Sequence, residues 1–424
     1  MATQAPLTLA DIELGDEALF ESGRSLEAFK ILRRDDPIHY SPATEQIVAR
    51  WHLTKYEDVM YVSRHPELFS SERGIVQYEA ADPAMEGNAA ASGNGMMLIT
   101  MDPPRHVKLR RLINKGFTPR QVNAMEPYIR DISRRLIERS AEKGESDFVI
   151  DVASQLPLAV ICGMMGIEES DWPQMFSLTN KILGAGDPEY QDTVPEEIRG
   201  TPEGAQATGN YGTFQMFSFF SQMLASRRAN RREDLVSILV DSDIEGEKLT
   251  DPDILWFCFL LILAGNETTR NAISGGLLSF FENPDEKRKL LNDLSLMPSA
   301  VEEVLRYISP VTHMARKVME DTSVRHAQIK KGERVVMWYP SVNRDEDMFP
   351  DADRFDITRS PNDHLAFGIG EHFCLGAGFA RLELKVMFEE LFSRFPDVKQ
   401  NGPAERLRST FIGGIKHLPV KYPS

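Results

Sequence analysis

A nearly unbroken apolar run, Ile254 to Gly265 (ILWFCFLLILAG), constrains this chain more than any other segment. It is about twelve residues long, against the ~20 that a membrane-crossing helix needs. It follows Thr250-Asp251-Pro252, a helix-start pattern in which proline is welcome in the first turn. A helix that is apolar on every side must be buried on every side. The run therefore predicts a helix starting at Asp251 and passing through the core of a large protein. A chain of 424 residues, 42% of them hydrophobic, can supply that core.

Helical spacing of apolar residues also marks Met125–Ala141, Pro298–Tyr307 and Leu375–Phe392. Strand-like alternation is confined to Ile47–Thr54, Val335–Tyr339 and Phe411–Lys421. The expected fold is mainly α with small β-sheets, in one domain over 1–424 with an N-terminal arm at 1–45. Pro and Gly cluster within 76–98 and 184–212, which read as long mobile loops. The formal charge of -16 argues against a nucleic-acid partner. Cys162, Cys258 and Cys374 form no CxxC pair, so a disulfide scaffold or structural zinc site is not expected. A reducing cytoplasm fits that usage. The N-terminal residues show neither a signal-peptide pattern nor a membrane anchor.

The segment Phe367-Gly-Ile-Gly-Glu-His-Phe-Cys374-Leu-Gly376 carries the chemistry. Glycines at 368, 370 and 376 allow tight turns that aim amide N–H groups at the sulfur. A helix starting at Leu375 would set its positive end near a thiolate. On residues alone, three readings stand: an inert packed cysteine, a nucleophile with His372 as base, or a metal-binding thiolate.

The segment resembles the haem-binding signature of the cytochrome P450 family, Phe-x-x-Gly-x-His/Arg-x-Cys-x-Gly, at every fixed position. Other landmarks follow in the family's order. Ala264-Gly-Asn-Glu267-Thr268-Thr resembles its oxygen-binding helix. Asp102-Pro-Pro-Arg-His106-Val-Lys-Leu-Arg110 resembles its third-helix motif. Glu303-Val-Leu-Arg306 is one of five Glu-x-x-Arg matches, selected by its place before the cysteine, with Arg354 expected to complete a structural Glu–Arg–Arg cluster. The resemblance implies haem b (iron protoporphyrin IX) held non-covalently, with Cys374 as iron ligand. His106, Arg110, Arg316 and His372 would hold the propionates, and Glu267 and Thr268 would route protons. The implied activity is monooxygenation: one oxygen atom of O2 enters a C–H bond of an apolar molecule.

Electrons would come from a separate ferredoxin and ferredoxin reductase, docking near Lys108, Arg111, Lys115 and Arg381, on a monomeric enzyme. Met97, Leu98, Leu263, Ala264, Val311, Met314, Phe411 and Ile412 match the family's substrate-contacting regions. The loops at 76–98 and 184–212 would admit the substrate. A terpenoid, steroid or branched lipid is the expected class, in keeping with the tail RLRSTFIGGIKHLPVKY. A haem sensor or carrier, and a cysteine hydrolase, are the competing readings.

Overall fold

The computed structural model describes residues 5–44, 47–79, 93–244 and 246–423. Its axis is the helix Asp251–Glu282, 32 residues long. A capping box starts it: the Asp253 N–H donates to Thr250 Oγ1 at 3.3 Å, and the Thr250 N–H donates to Asp253 Oδ2 at 3.1 Å. Two orphan donors of the first turn are thereby satisfied reciprocally. The helix stops at Asn283, before Pro284, which cannot continue it. Between these ends it is buried against helices on several sides, including Gln155–Met165, Pro202–Ala229, Met297–Ile308 and Ala377–Arg394. Close approach needs small residues at Gly275 and Gly276. A Cβ there would come within 2.9 Å of Ile308 and 2.8 Å of Phe388 and Val304.

Among the described residues the largest sheet has five strands, in the order Ile38–Ser41, Arg50–Leu53, Arg334–Trp338, His313–Val318 and Phe69–Ser70. Only the Arg50–Leu53 and Arg334–Trp338 pair is parallel. Smaller sheets include one that joins Pro419–Lys421 to Glu145–Asp147. No helix among the described residues is long and apolar enough to cross a membrane. The mainly helical expectation holds.

Several local expectations need correction. The described part of the N-terminal segment is no detached arm. It contributes the edge strand Ile38–Ser41, and Phe20 and Phe29 pack on Trp338 at ring distances of 5.6 and 5.2 Å. Within 184–212, only the first part is loop. Thr201 accepts from the Gly204 N–H at 3.2 Å and starts a helix at Pro202. The glycines that suggested a loop let this helix press on its neighbours: a Cβ on Gly212 would lie 2.9 Å from Ile182. Within 76–98, residues 80–92 lie outside the described residues. Glu79, just before them, is buried against Arg334 at 2.5 Å. The cysteine helix begins at Ala377, with Gly376 as its N-cap at an ordinary φ of -86°.

Arg354 does not complete the buried cluster. Its guanidinium is 57% exposed and lies 4.0 Å from Glu286, while its backbone carbonyl accepts from Arg306 at 3.0 Å. Glu303 instead takes both oxygens' worth of bonding from Arg306, at 2.8 Å each, and a further contact from Arg359 at 3.2 Å. The Asp356–Arg359 turn, in which the Arg359 N–H bonds the Asp356 carbonyl at 3.0 Å, folds the later arginine back. Glu303 keeps Arg306 when Arg359 is removed, so the loss is of charged hydrogen bonds and not of a sole counter-ion. Arg359→Ala should therefore lower stability in denaturant melts by about 1.5 kcal/mol, and Arg354→Ala by less than about 0.5 kcal/mol. Equal effects would contradict the assignment.

Candidate active site

The central helix is buried along most of its length but has one accessible stripe: Leu260, Ala264 and Thr268, spaced four residues apart, with Gly265 beside it. Four-residue spacing puts these on one face. Small side chains there let another molecule approach the helix backbone. The Thr268 hydroxyl donates to the Ala264 carbonyl at 2.8 Å, a bond of the kind that loosens or bends a helix. Glu267, next in sequence, points elsewhere. Its carboxylate is ion-paired with Arg270 one turn on, and both side chains are only 1% exposed. Arg270 also donates to Asn180 Oδ1 at 2.8 Å. Burial pushes the Glu267 carboxyl above its usual range, against the pull of Arg270. Among the described residues no hydrogen bond joins Glu267 to Thr268.

The three cysteines divide sharply. Cys162 and Cys258 are buried, whereas Cys374 has accessible surface. Burial pushes both buried thiols up, Cys258 to about 12, which suits inert packing. Cys374 follows a turn in which Gly368 and Gly370 adopt φ of +65° and +76°. A side chain at Gly370 would collide with the Ser63 carbonyl, 2.5 Å from the Cβ position. The Cys374 N–H bonds the Phe367 carbonyl at 2.9 Å, fixing the sulfur at the helix entrance. Although accessible, the sulfur is closely surrounded by protein, and this enclosure raises the thiol. The Gly376 and Ala377 amides and the charges of Arg110 and Arg381 oppose that rise. They are what a thiolate needs. A Cys–His nucleophile is not assembled: His372 Nε2 lies 3.2 Å from Ser71 Oγ, and its ring packs on His106 at 4.3 Å.

Around the cysteine loop the structure gathers basic groups that lack an anion. His106 is 2% exposed, and neither ring nitrogen has a hydrogen-bond partner. Burial, assisted by Arg110, lowers it to about 4. Burial and the neighbouring cations lower His372 to about 2. Arg316 is 6% exposed, and its Nη1 donates to the Ala315 carbonyl at 2.8 Å. Arg110 donates to the Phe373 carbonyl at 2.5 Å and to Asn114 at 3.1 Å. Among the described residues neither arginine is ion-paired to a carboxylate. Asp102, close by, is engaged by Ser70 and by the Ser71 N–H at 2.8 Å. Buried cations of this kind are stable only opposite an anion. A haem with two propionates beside an open cysteine fits this donor set, and guanidinium groups match carboxylates with two parallel bonds.

The residues matched to substrate contact fall into two groups. Met97, Leu98 and Leu263 lie in one apolar cluster, to which Leu375, beside the cysteine, also belongs. Val311 bridges Ile412, and the Phe411 carbonyl accepts from the Thr312 N–H at 3.0 Å. Met314 packs with Val311 in a separate cluster. Leu98, Leu263 and Ile412 are buried, whereas Met97, Ala264, Val311, Met314 and Phe411 retain accessible surface. His313, unassigned from sequence, accepts from the Gln77 N–H at 3.1 Å and packs on Trp338 at 4.8 Å, so it braces the sheet. Of the basic docking set, Lys108, Arg111 and Lys115 are exposed along one helix and its continuation. Arg381 leaves that set: Glu302 already engages it at 2.7 and 2.9 Å. Sequence reasoning also missed Ser71, whose contact with His372 joins segments 301 residues apart and has no local signal.

Comparison with known proteins extends these observations. The family model described as Cytochrome P450 matches residues 46–409. A methyl-branched lipid omega-hydroxylase of Mycobacterium tuberculosis is 39% identical over 427 residues, covering 98% of this chain and 95% of that protein. A steroid C26-monooxygenase of Mycolicibacterium smegmatis is 35% identical, covering 97% and 94%. A Mycobacterium marinum cytochrome P450 solved with pseudoionone superposes with a TM-score of 0.87 at 31% identity, covering 100% of both chains. A Bacillus megaterium enzyme solved with testosterone gives a TM-score of 0.83 at 31% identity, covering 96% of this chain and 100% of that one. Likeness over this length, on a fold that presents an open cysteine beside two arginines and two histidines that meet no carboxylate among the described residues, places the chain in the cytochrome P450 family of haem-dependent monooxygenases.

Proposed function

We propose that this chain holds haem b without covalent attachment, with Cys374 as the residue that would ligate its iron, and hydroxylates a terpenoid, steroid or methyl-branched lipid. The observation that carries the reading is that buried His106 and Arg316, with half-buried Arg110 and His372, meet no carboxylate among the described residues, next to the accessible Cys374. Those four residues would hold the propionates. When bound, the haem supplies O2 activation, and a thiolate ligand favours cleavage of the O–O bond.

The protein's own groups then bind, orient and move protons. Ala264 and Gly265 leave room against the central helix, and the Thr268 hydroxyl sits on that same face. The Thr268 hydroxyl would hold a proton on that face, where it donates to the Ala264 carbonyl. Glu267, raised by burial against the pull of Arg270, would exchange a proton with Thr268 only after releasing Arg270. A haem carrier or sensor would need no proton route at Thr268.

The accessible surface of Met97, Val311, Met314 and Phe411 makes them the proposed substrate wall. A Met-rich apolar wall adapts to bulky hydrocarbons. The named activities of the two mycobacterial relatives, on a methyl-branched lipid and at steroid C26, support that class. The segment 184–201 and residues 76–98 are the proposed entrance.

Electrons are proposed to arrive from a ferredoxin served by its reductase, with the enzyme acting as a monomer in the cytoplasm. Lys108, Arg111 and Lys115 would meet an acidic partner.

Two measurements test this function. With ferredoxin, reductase and a panel of steroids and methyl-branched lipids, the wild type should yield a hydroxylated product. Thr268→Ala should keep consuming electrons while product per electron falls about tenfold or more. Unchanged coupling would remove Thr268 from the proton route. Reversing Lys108, Arg111 and Lys115 to Glu should slow reduction most at low ionic strength, with the difference shrinking in salt. Unaltered kinetics would move the docking site elsewhere.

A further inference from the structure

Arg381 stands seven residues after the proposed ligand, in the second turn of the helix Ala377–Arg394. Its guanidinium lies 4.5 Å from the centroid of Phe367, the residue whose carbonyl accepts the Cys374 N–H at 2.9 Å. Its charge is one of those that favour the Cys374 thiolate. An uncompensated cation at this position would draw electron density from the sulfur. Glu302 meets it with a two-pronged contact, Nε at 2.7 Å and Nη2 at 2.9 Å.

A third residue orients the pair. His364 Nδ1 accepts from the Ala366 N–H at 3.2 Å, which leaves Nε2 as the protonated nitrogen facing Glu302 Oε2 at 3.2 Å. This tautomer follows from the hydrogen-bond pattern, and it makes His364 neutral. Burial pushes the Glu302 carboxyl up, but the bonds from His364 and Arg381, with the charge of Arg381, hold it down at about 2. The trio thus brings together one carboxylate, one guanidinium and one imidazole that donates from Nε2. Glu302 directly precedes Glu303 of the buried structural cluster in the same helix, so it is held on a rigid element.

We propose that Glu302 is a positioning residue for Arg381: by holding and neutralising that cation behind the cysteine loop, it sustains electron donation from Cys374 and keeps the bound haem hard to reduce. This inference rests on Cys374 being the iron ligand. Its physical content is a sign rule. Reduction adds one negative charge to the iron site, so a bare cation nearby favours the reduced state and a bare anion opposes it.

The test is an equilibrium redox titration of the purified substrate-free holoenzyme and four variants, Glu302→Gln, Arg381→Gln, Arg381→Lys and the double substitution of both residues by Gln. Each is accompanied by the spectrum of its reduced carbon monoxide complex. Glu302→Gln should raise the reduction potential, increasing the ferrous-to-ferric ratio several-fold at a fixed applied potential. Arg381→Gln should lower it, and the double variant should return near the wild type. Arg381→Lys, which keeps the charge, should stay close to the wild type and covers the case in which Glu302→Gln does not fold. A structural salt bridge alone would lower melting temperature in all variants without opposite movements of potential. Unmoved potentials, or movements of one sign, in proteins that retain the thiolate-type spectrum would overturn the inference. A wild-type spectrum lacking thiolate character would overturn the ligand assignment beneath it, a distinguishable failure.

Discussion

A guanidinium as deeply enclosed as that of Arg316 is tolerable only where an anion meets it, and that requirement organises the molecule. Arg316 comes from the five-stranded sheet, Arg110 and His106 from the helix Arg105–Ile113, and His372 from the turn before the cysteine. Three parts of the fold therefore present positive or hydrogen-bond-donating groups to one region. Asp102 adds its charge from nearby but is hydrogen-bonded to Ser70 and Ser71 and forms no ion pair with Arg316 or Arg110 among the described residues. Isolated buried charge destabilises a fold by several kcal/mol. A dianionic cofactor would offset that cost and so couple stability to cofactor binding.

The remaining architecture can be understood as holding two surfaces fixed on either side of that group. The central helix supplies a face of small residues because Ala264 and Gly265 interrupt an otherwise bulky apolar run. The cysteine turn supplies the other face because Gly370 can approach the Ser63 carbonyl where no side chain could. Behind the turn, Glu303 anchors Arg306 and Arg359 at the centre of the surrounding loops. Its neighbour Glu302 points toward Arg381 and the cysteine loop. One short helix thus serves stability with one carboxylate and electrostatic balance with the next.

What could be read from sequence was what depends on local chemistry. The Thr250 cap, the all-round apolar run and the tight turns at Gly368 and Gly370 each encode their structure within a few residues, and each stands where expected. Gly376 makes no such turn, and the helix starts two residues later than Leu375. Readings that depended on tertiary choice went astray. Arg354 and Arg359 are equally plausible partners for Glu303 until the Asp356 turn decides between them. Glycines near 204–212 look like loop punctuation, yet they serve close helix packing. Arg381 looked available for docking because nothing local reveals that Glu302, 79 residues away, already binds it. Glu267 and Thr268 are adjacent in sequence, but helix geometry sends one to Arg270 and the other to the accessible face.

The central claim is that Cys374 ligates the iron, and the absorption spectrum of purified protein, reduced with dithionite and exposed to carbon monoxide, tests it most directly. The account predicts a Soret band moved strongly to the red, as thiolate-ligated ferrous haem gives, and its loss in Cys374→His. A wild-type protein that takes up no haem, or a red-shifted band that survives in Cys374→His, would contradict it.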